Sequence, residues 1–193
     1  MNYLGHLYFS NNDSELMTAN LFGDFVKGSD LSSYDSKTCE GILLHRKIDS
    51  YIDTSEVVRI LMRKLYQSLP KVSSVAIDLF FDHLLAKNWN QFHPTPLNDF
   101  LNQYYKEIKL SEQLYTASFV KMMQKLIEHN WISYYPTLYG LDKSCQGVSN
   151  RISFPNELKN GKFVFVEYED EITETFYEFM KQANEYFLVD YLK

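Results

Sequence analysis

Two acid–histidine patterns stand out in this 193-residue sequence. In His45-Arg46-Lys47-Ile48-Asp49 a histidine and an aspartate lie four residues apart. Asp78-Leu79-Phe80-Phe81-Asp82-His83 joins an Asp/Asp pair at the same interval to an adjacent histidine. Both fall in apolar stretches whose periodicity predicts helix, and residues four apart share a helix face. Carboxylate oxygens and imidazole nitrogens are the donors that a hard or borderline divalent cation takes. The pattern predicts a helix-borne metal site, and with it hydrolytic chemistry. Asp82 and His83 point about 100° apart on an ideal helix, so both reach one ion only if it sits between helices.

Two further polar groups interrupt apolar runs nearer the amino terminus: His6 in Tyr3-Leu4-Gly5-His6-Leu7-Tyr8-Phe9, and Asp24 in Leu21-Phe22-Gly23-Asp24-Phe25-Val26. Unpaired buried charge is costly, and one cation satisfies several such groups together. Plainer roles stay open for each. His6 fits a hydrogen-bonded core histidine; Asp24 fits a carboxylate near a helix end or a partner of Arg46. His93 beside Pro94 and His129 near a helix end read as structural or solvated. Arg46, beside His45, is placed to reach an anionic substrate or to orient an acid. Arg59 and Arg63 share a helix face with Lys64 adjacent, and a guanidinium fork suits phosphate or carboxylate oxygens. A divalent cation with arginine nearby favours phosphoester hydrolysis. The competing reading of those basic residues is a solvated helix face.

The elements that must position these groups are helical. A start near Asn12 leads through Leu16, Ala19 and Phe22 towards Lys27, with Gly28 as a stop. Ser36 and Thr38 can cap a helix carrying Ile42, His45, Ile48 and Asp49. Asp53-Thr54-Ser55-Glu56 opens the next, with Val57, Ile60, Leu61 and Leu65 on one face, and Ser73 or Ser74 starts one reaching Ala86. Pro94 and Pro96 demand a turn. Helical intervals recur at Leu97–Tyr104 and Phe119–Leu126, a short broken helix fits 130–141, and Glu171–Leu188 is a long amphipathic helix. Phe163–Val166 has strand propensity, but one short run without partners favours a helix start. The expectation is an all-α, single-domain bundle covering 1–193.

Composition narrows the function. Net charge is −6 and the isoelectric point about 5.4, which argues against a general nucleic-acid partner. The charge is uneven. Residues 41–71 hold six Lys/Arg against three acids, whereas 161–193 hold three lysines against eight acids. A local basic face on an acidic protein suits one particular anionic partner. The 15 Tyr and 14 Phe suit filling of gaps between helices more than ligand binding. Cys39 and Cys145 lack zinc or redox spacing. No signal peptide or membrane span is evident, so a cytoplasmic location without membrane contact is expected. Apolar helix faces alone leave the oligomeric state open.

Taken in order, several segments resemble the bacterial acyl carrier protein phosphodiesterases. They are Met1-Asn2-Tyr3-Leu4-Gly5-His6-Leu7, Gly23-Asp24-Phe25-Val26-Lys27-Gly28, Leu44-His45-Arg46-Lys47-Ile48-Asp49 with Asp53, Val57-Val58-Arg59, and Asp78 to Ala86 followed by Trp89. Fainter similarity continues through Pro96-Leu97, Trp131-Ile132, Tyr134, Gly140 and Arg151. The resemblance implies an all-helical fold distantly related to the HD phosphohydrolases. It also implies removal of 4′-phosphopantetheine from holo-acyl carrier protein with Mn²⁺ as usual cofactor. Carried onto this chain, it makes His45, Asp82 and His83 the core of the metal site, with Asp24 and His6 as further ligands. The second pair reads Asp-His rather than the His-Asp of the HD pattern. Asp49 would orient His45 or act in acid–base chemistry, with Arg46 assisting. Arg59, Arg63 and Lys64 would meet the acidic carrier protein. Two other readings compete: a nucleotide or small-molecule phosphohydrolase on the same scaffold, and a non-catalytic helical partner-binding protein.

Overall fold

Helix-forming runs dominate from end to end, and the computed structural model, which describes residues 1–191, holds no strand among them. In chain order come α1 (Tyr3–Tyr8), α2 (Ser14–Phe22), α3 (Ser36–Thr54), α4 (Glu56–Leu65), α5 (Ser73–Lys87) and α6 (Trp89–Phe92). Then follow α7 (Leu97–Glu107), α8 (Ala117–His129), α9 (Leu138–Ser149), α10 (Gly161–Glu167) and α11 (Glu169–Asn184). Single 3-10 turns at Gly23–Phe25 and Trp131–Tyr134 matter below. The architecture is an all-α, single-domain helical bundle.

Helix α5 runs through its middle. Ala76, Ile77 and every residue from Leu79 to Ala86 are buried, so this helix is covered all round rather than on one stripe. Phe81 meets Phe176 and Phe179 of α11 with ring centroids 5.5 and 5.4 Å apart, and Phe80 meets Phe165 of α10 at 5.4 Å. Part of the aromatic enrichment is spent on packing of this kind. Helices α2 and α3 approach more closely than ordinary side chains allow. A Cβ on Gly41 would stand 2.3 Å from Ala19 Cβ and 2.7 Å from the Asn20 nitrogen. That contact fixes α3, and the residues it carries, against α2.

Caps set the helix boundaries. Asn11 and Asn12 both take left-handed φ, 50° and 59°, so the chain turns there and Asp13 caps α2, accepting from Glu15 and Leu16 N–H. Asp35, not Ser36 or Thr38, caps α3 through the Thr38 N–H at 2.9 Å. The buried face of α4 is Val58, Leu61 and Leu65, while Ile60 is exposed. Leu61 and Leu65 thus fall where expected, Val58 takes the buried place given to Val57, and Ile60 faces out, as α4 packs against both α5 and α11. Residues 163–166 are helical within α10, with Val164 and Phe165 buried and Phe163 and Val166 exposed. The long last helix begins earlier than expected and gives way to a π-helical stretch at Glu185–Tyr191.

The short α1 is held by Asp82. Its carboxylate, on α5, accepts N–H groups of Asn2 at 3.2 Å, Leu4 at 2.8 Å and Gly5 at 3.1 Å. These are N–H groups that a helix start leaves without internal partners. A six-residue helix is too short to persist on its own, so this anchor places α1, and with it His6. Burial pushes the Asp82 pKa up to about 7, against the pull of the Met1 ammonium and the Leu4 and Gly5 N–H groups. Leaving buried N–H groups unpaired costs about 1–3 kcal/mol each, so Asp82→Ala should lose roughly 3 kcal/mol or more of stability. Denaturant unfolding checks this. Wild-type stability in the variant would contradict an anchoring role.

Candidate metal centre

Each side chain of the candidate centre is delivered by a different local device. His6 rides on α1, His45 and Asp49 occupy successive turns of α3, and Asp24 lies in the 3-10 turn Gly23–Phe25. Gly23 makes the last approach possible. A Cβ there would fall 2.4 Å from His45 Cγ and 2.5 Å from His45 Cβ, so only glycine lets this turn lie against the imidazole.

The two imidazole rings stack, with centroids 4.2 Å apart and planes 18° off parallel. Both direct Nε2 at one carboxylate: Asp49 lies 3.3 Å from His6 and 3.2 Å from His45. Asp24 stands 3.4 Å from His45 Nε2, and the Met1 carbonyl oxygen 3.0 Å from His6 Nε2. His6, His45 and Asp49 each offer a ligand atom, all within 4.8 Å of one another.

Hydrogen bonding around Asn20 fixes the His6 tautomer. The Asn20 amide nitrogen donates to the His6 carbonyl and to Ser10 Oγ, both at 3.0 Å, leaving its oxygen to accept from His6 Nδ1 at 2.8 Å. With the proton on Nδ1, Nε2 is a lone pair, and it faces a carbonyl and a carboxylate. Acceptors pointed at acceptors repel unless a cation lies among them. This is the observation that fits the donor set to a divalent metal. Two imidazoles and one or two carboxylates suit the borderline first-row ions.

Electrostatics agree. Burial, helped by the charge of His45, lowers the His6 pKa, so this ring is neutral at pH 7. Burial works against a charged His45, yet Asp24 and Asp49 outweigh it and push its pKa up to about 9. Asp49, despite its own burial, is held far below the usual carboxylate range, chiefly by the hydrogen bond from His45. Around them opens a cavity of about 410 Å³ that also includes Asp53, Asp78 and Arg151. Burial and then the charges of Asp78 and Asp49 raise the pKa of Asp53. Asp78 is tied to the Met1 nitrogen at 2.8 Å.

The remaining sequence-derived residues lie elsewhere. Asp82 anchors α1 and does not join the cluster. His83 Nδ1 donates to the Tyr135 carbonyl at 2.6 Å, and the ring packs edge-on to Phe165. The expected core of His45, Asp82 and His83 is therefore not assembled; α1 runs over the Asp82 carboxylate instead. Arg46 donates to the carbonyls of Val26 and Gly28 at 3.3 and 2.6 Å, clamping the loop that follows Asp24. On α4, Lys64 pairs with Glu171 of α11 and Arg63 approaches Glu56 at 3.5 Å, while Arg59 is exposed. Asn20 and Arg151 are the participants that spacing did not single out. Asn20 carried no signal beyond being a polar residue in an apolar helix.

A family model described as acyl carrier protein phosphodiesterase matches residues 1–183. The chain belongs to the acyl carrier protein phosphodiesterase family. Acyl carrier protein phosphodiesterases of Salmonella agona (strain SL483) and Salmonella newport (strain SL254) are each 26% identical to it over 180 residues, 93% of either chain. That of Salmonella paratyphi A (strain ATCC 9150 / SARB42) is 25% identical over the same share. No solved structure matches the chain. Membership of a phosphodiesterase family, together with a donor set suited to a divalent ion, supports metal-dependent hydrolysis. No helix among the described residues is long and apolar enough to cross a membrane.

Metal uptake at His45 must displace its proton, since the ring is charged below about pH 9. At about pH 7.5, binding of one divalent ion should release close to one proton, measured by calorimetry in buffers of different ionisation heat. Binding without proton release would contradict the assignment. In the metal-free protein, stability from the His45 proton is complete below pH 6.5 and is lost as pH rises through about 9. Gly23→Ala should weaken metal binding on the order of 10- to 100-fold, the range seen when the support of a ligand is disturbed. Unchanged affinity in the folded variant would show that the close approach is incidental.

Proposed function

We propose that this chain is a metal-dependent phosphodiesterase that releases 4′-phosphopantetheine from holo-acyl carrier protein and returns the apo form. The single observation that carries the reading is the convergence of His6 Nε2, His45 Nε2 and Asp49 in a member of a phosphodiesterase family. His6, His45 and Asp49 would hold the ion, with Asp24 beside them, and Mn²⁺ suits this mixture of nitrogen and oxygen donors. A divalent ion held there supplies polarisation of a phosphoryl oxygen and a water acidified enough to attack at neutral pH.

The protein supplies the rest. Asn20 keeps His6 in the tautomer that leaves Nε2 free of a proton. Asp49 spans both imidazoles and fixes their relative orientation. Arg151, the one arginine or lysine lining the cavity among the described residues, takes the non-bridging phosphate oxygens. The four carboxylates of the cavity repel the diester anion otherwise. Asp53, which lines the same cavity, is proposed to pass a proton to the departing serine oxygen. Arg59, Arg63 and Lys64 are proposed to meet the acidic carrier protein, with Arg59 contributing most because Lys64 and Arg63 have acidic neighbours. Kinship with the HD phosphohydrolases is part of this reading, supported by helix-borne His and Asp donors in an all-α bundle.

One observation favours nucleotide hydrolysis as a second reading: an aromatic cavity adjoins the centre and offers stacking surfaces. A direct comparison of holo-acyl carrier protein with a panel of nucleotides separates the two.

Mass spectrometry should show holo-acyl carrier protein losing its phosphopantetheine in the presence of Mn²⁺ and retaining it with a chelator. His45→Ala and Asp49→Ala should lower the rate by at least ~100-fold, and Arg151→Met by about 100-fold. Folded variants of His45 and Asp49 that release the group at the wild-type rate would overturn the site. Preferential turnover of a nucleotide would replace the substrate.

A further inference from the structure

A second cavity, of about 590 Å³, lies beside the metal centre and takes no part in holding the ion. Its walls are Trp131, Tyr134 and Tyr135 from the 3-10 turn and its end, Tyr139 and Lys143 from α9, and His129 from the end of α8. Trp131, Tyr134 and Tyr139 are 37%, 51% and 61% exposed. Aromatic surface left uncovered in one place marks a binding site rather than core. The wall is also rigid. A Cβ on Gly140 would overlap the Tyr134 carbonyl, 1.9 Å away, so the turn and α9 are locked against each other.

The two cavities meet. Asn2, Tyr3, Val148 and Arg151 line both. Their chemistry divides sharply at that seam. On one side stand Asp24, Asp49, Asp53 and Asp78; on the other no carboxylate among the described residues faces the space, which is aromatic with Lys143 at its edge. A diester whose phosphate lies against the metal ligands and Arg151 must send its two organic substituents in different directions. An uncharged, extended substituent gains nothing among four carboxylates and gains apolar contact among the aromatics. The volume is within the range of about 300–1,000 Å³ that small-molecule sites occupy.

We propose that this aromatic cavity is the site for the uncharged, amide-bearing arm esterified to the substrate phosphate, with Arg151 at the junction between arm and phosphoryl group. The proposal rests on the phosphodiesterase reading given above for the identity of the arm. The cavity's use in binding is open to test without catalysis.

Gly147 provides the means. It lies on α9 in the wall of the cavity, its backbone is helical, and a Cβ built there meets nothing within 4 Å. Gly147→Leu and Gly147→Phe therefore fill the cavity without displacing the fold, and exchange glycine for a better helix former. Their thermal midpoints should not fall. Binding is read first, by titrating pantetheine and following the indole N–H resonance of Trp131. The wild type should respond, and Gly147→Leu should bind at least about tenfold more weakly. Turnover is read second. The kcat/KM for holo-acyl carrier protein should fall about tenfold or more in the variants. The affinity for Mn²⁺ alone, which reports the centre and involves no arm, should stay at the wild-type value.

A wild type that does not bind pantetheine, or variants that bind it equally well, would overturn the arm site. So would unchanged kcat/KM for the holo-carrier in the variants. Should the wild type leave holo-acyl carrier protein intact while pantetheine binding is lost on filling the cavity, the phosphodiesterase reading fails and the arm site stands. Parallel loss of Mn²⁺ affinity in the variants would mean that Gly147 acts through the metal centre, and the separate site would be withdrawn.

Discussion

Acceptors facing acceptors are the constraint around which this molecule is arranged. Two buried imidazole nitrogens, a carboxylate shared between them and a backbone carbonyl converge on one small volume. Nothing in an apolar bundle rewards that convergence unless a positive charge lies within it, either the proton on His45 or a metal ion. The proton serves the metal-free state, and its exchange for an ion would be the binding reaction. The tautomer of His6 is dictated from behind by Asn20, whose amide is itself oriented by the His6 carbonyl and Ser10. Preorganisation of this kind would let a short, otherwise unstable helix serve as a metal-binding arm.

The fold serves the same end through a second buried carboxylate. Asp82 on the central helix receives three N–H groups from the amino-terminal segment, so α1 is stitched to α5 while its other side offers His6 to α3. Gly41 draws α3 onto α2, and Gly23 draws the 3-10 turn onto His45. Five segments thus meet with little freedom to slide. Arg46 stabilises the loop after Asp24 from outside.

Much of this was legible in the residues. His45 and Asp49 share a helix face by spacing alone, and His6 and Asp24 showed themselves as polar residues in apolar runs. The pairing of those four was a matter of chemistry, and the chain brings them together. Asp82 and His83 carried the same signal for a different reason. Sequence reveals that a buried charge needs partners but not whether they are a cation or backbone N–H groups, and for Asp82 they are N–H groups. His83 found the Tyr135 carbonyl, a contact across 52 positions that no periodicity encodes. Likewise the basic stretch and the acidic tail were each visible, but not that α4 and α11 would pack and join Lys64 to Glu171. Helix existence followed from periodicity. The cap of α2 shifted by a residue because Asn11 and Asn12 adopt left-handed backbone, which lies outside what hydrophobic spacing reports.

The most direct test of the centre is where an ion goes. Crystals grown with Mn²⁺ and measured at its absorption edge should give one strong anomalous peak bounded by His6 Nε2, His45 Nε2 and Asp49. A peak seated instead on Asp82 and His83, with the two stacked imidazoles left unliganded, would contradict the account.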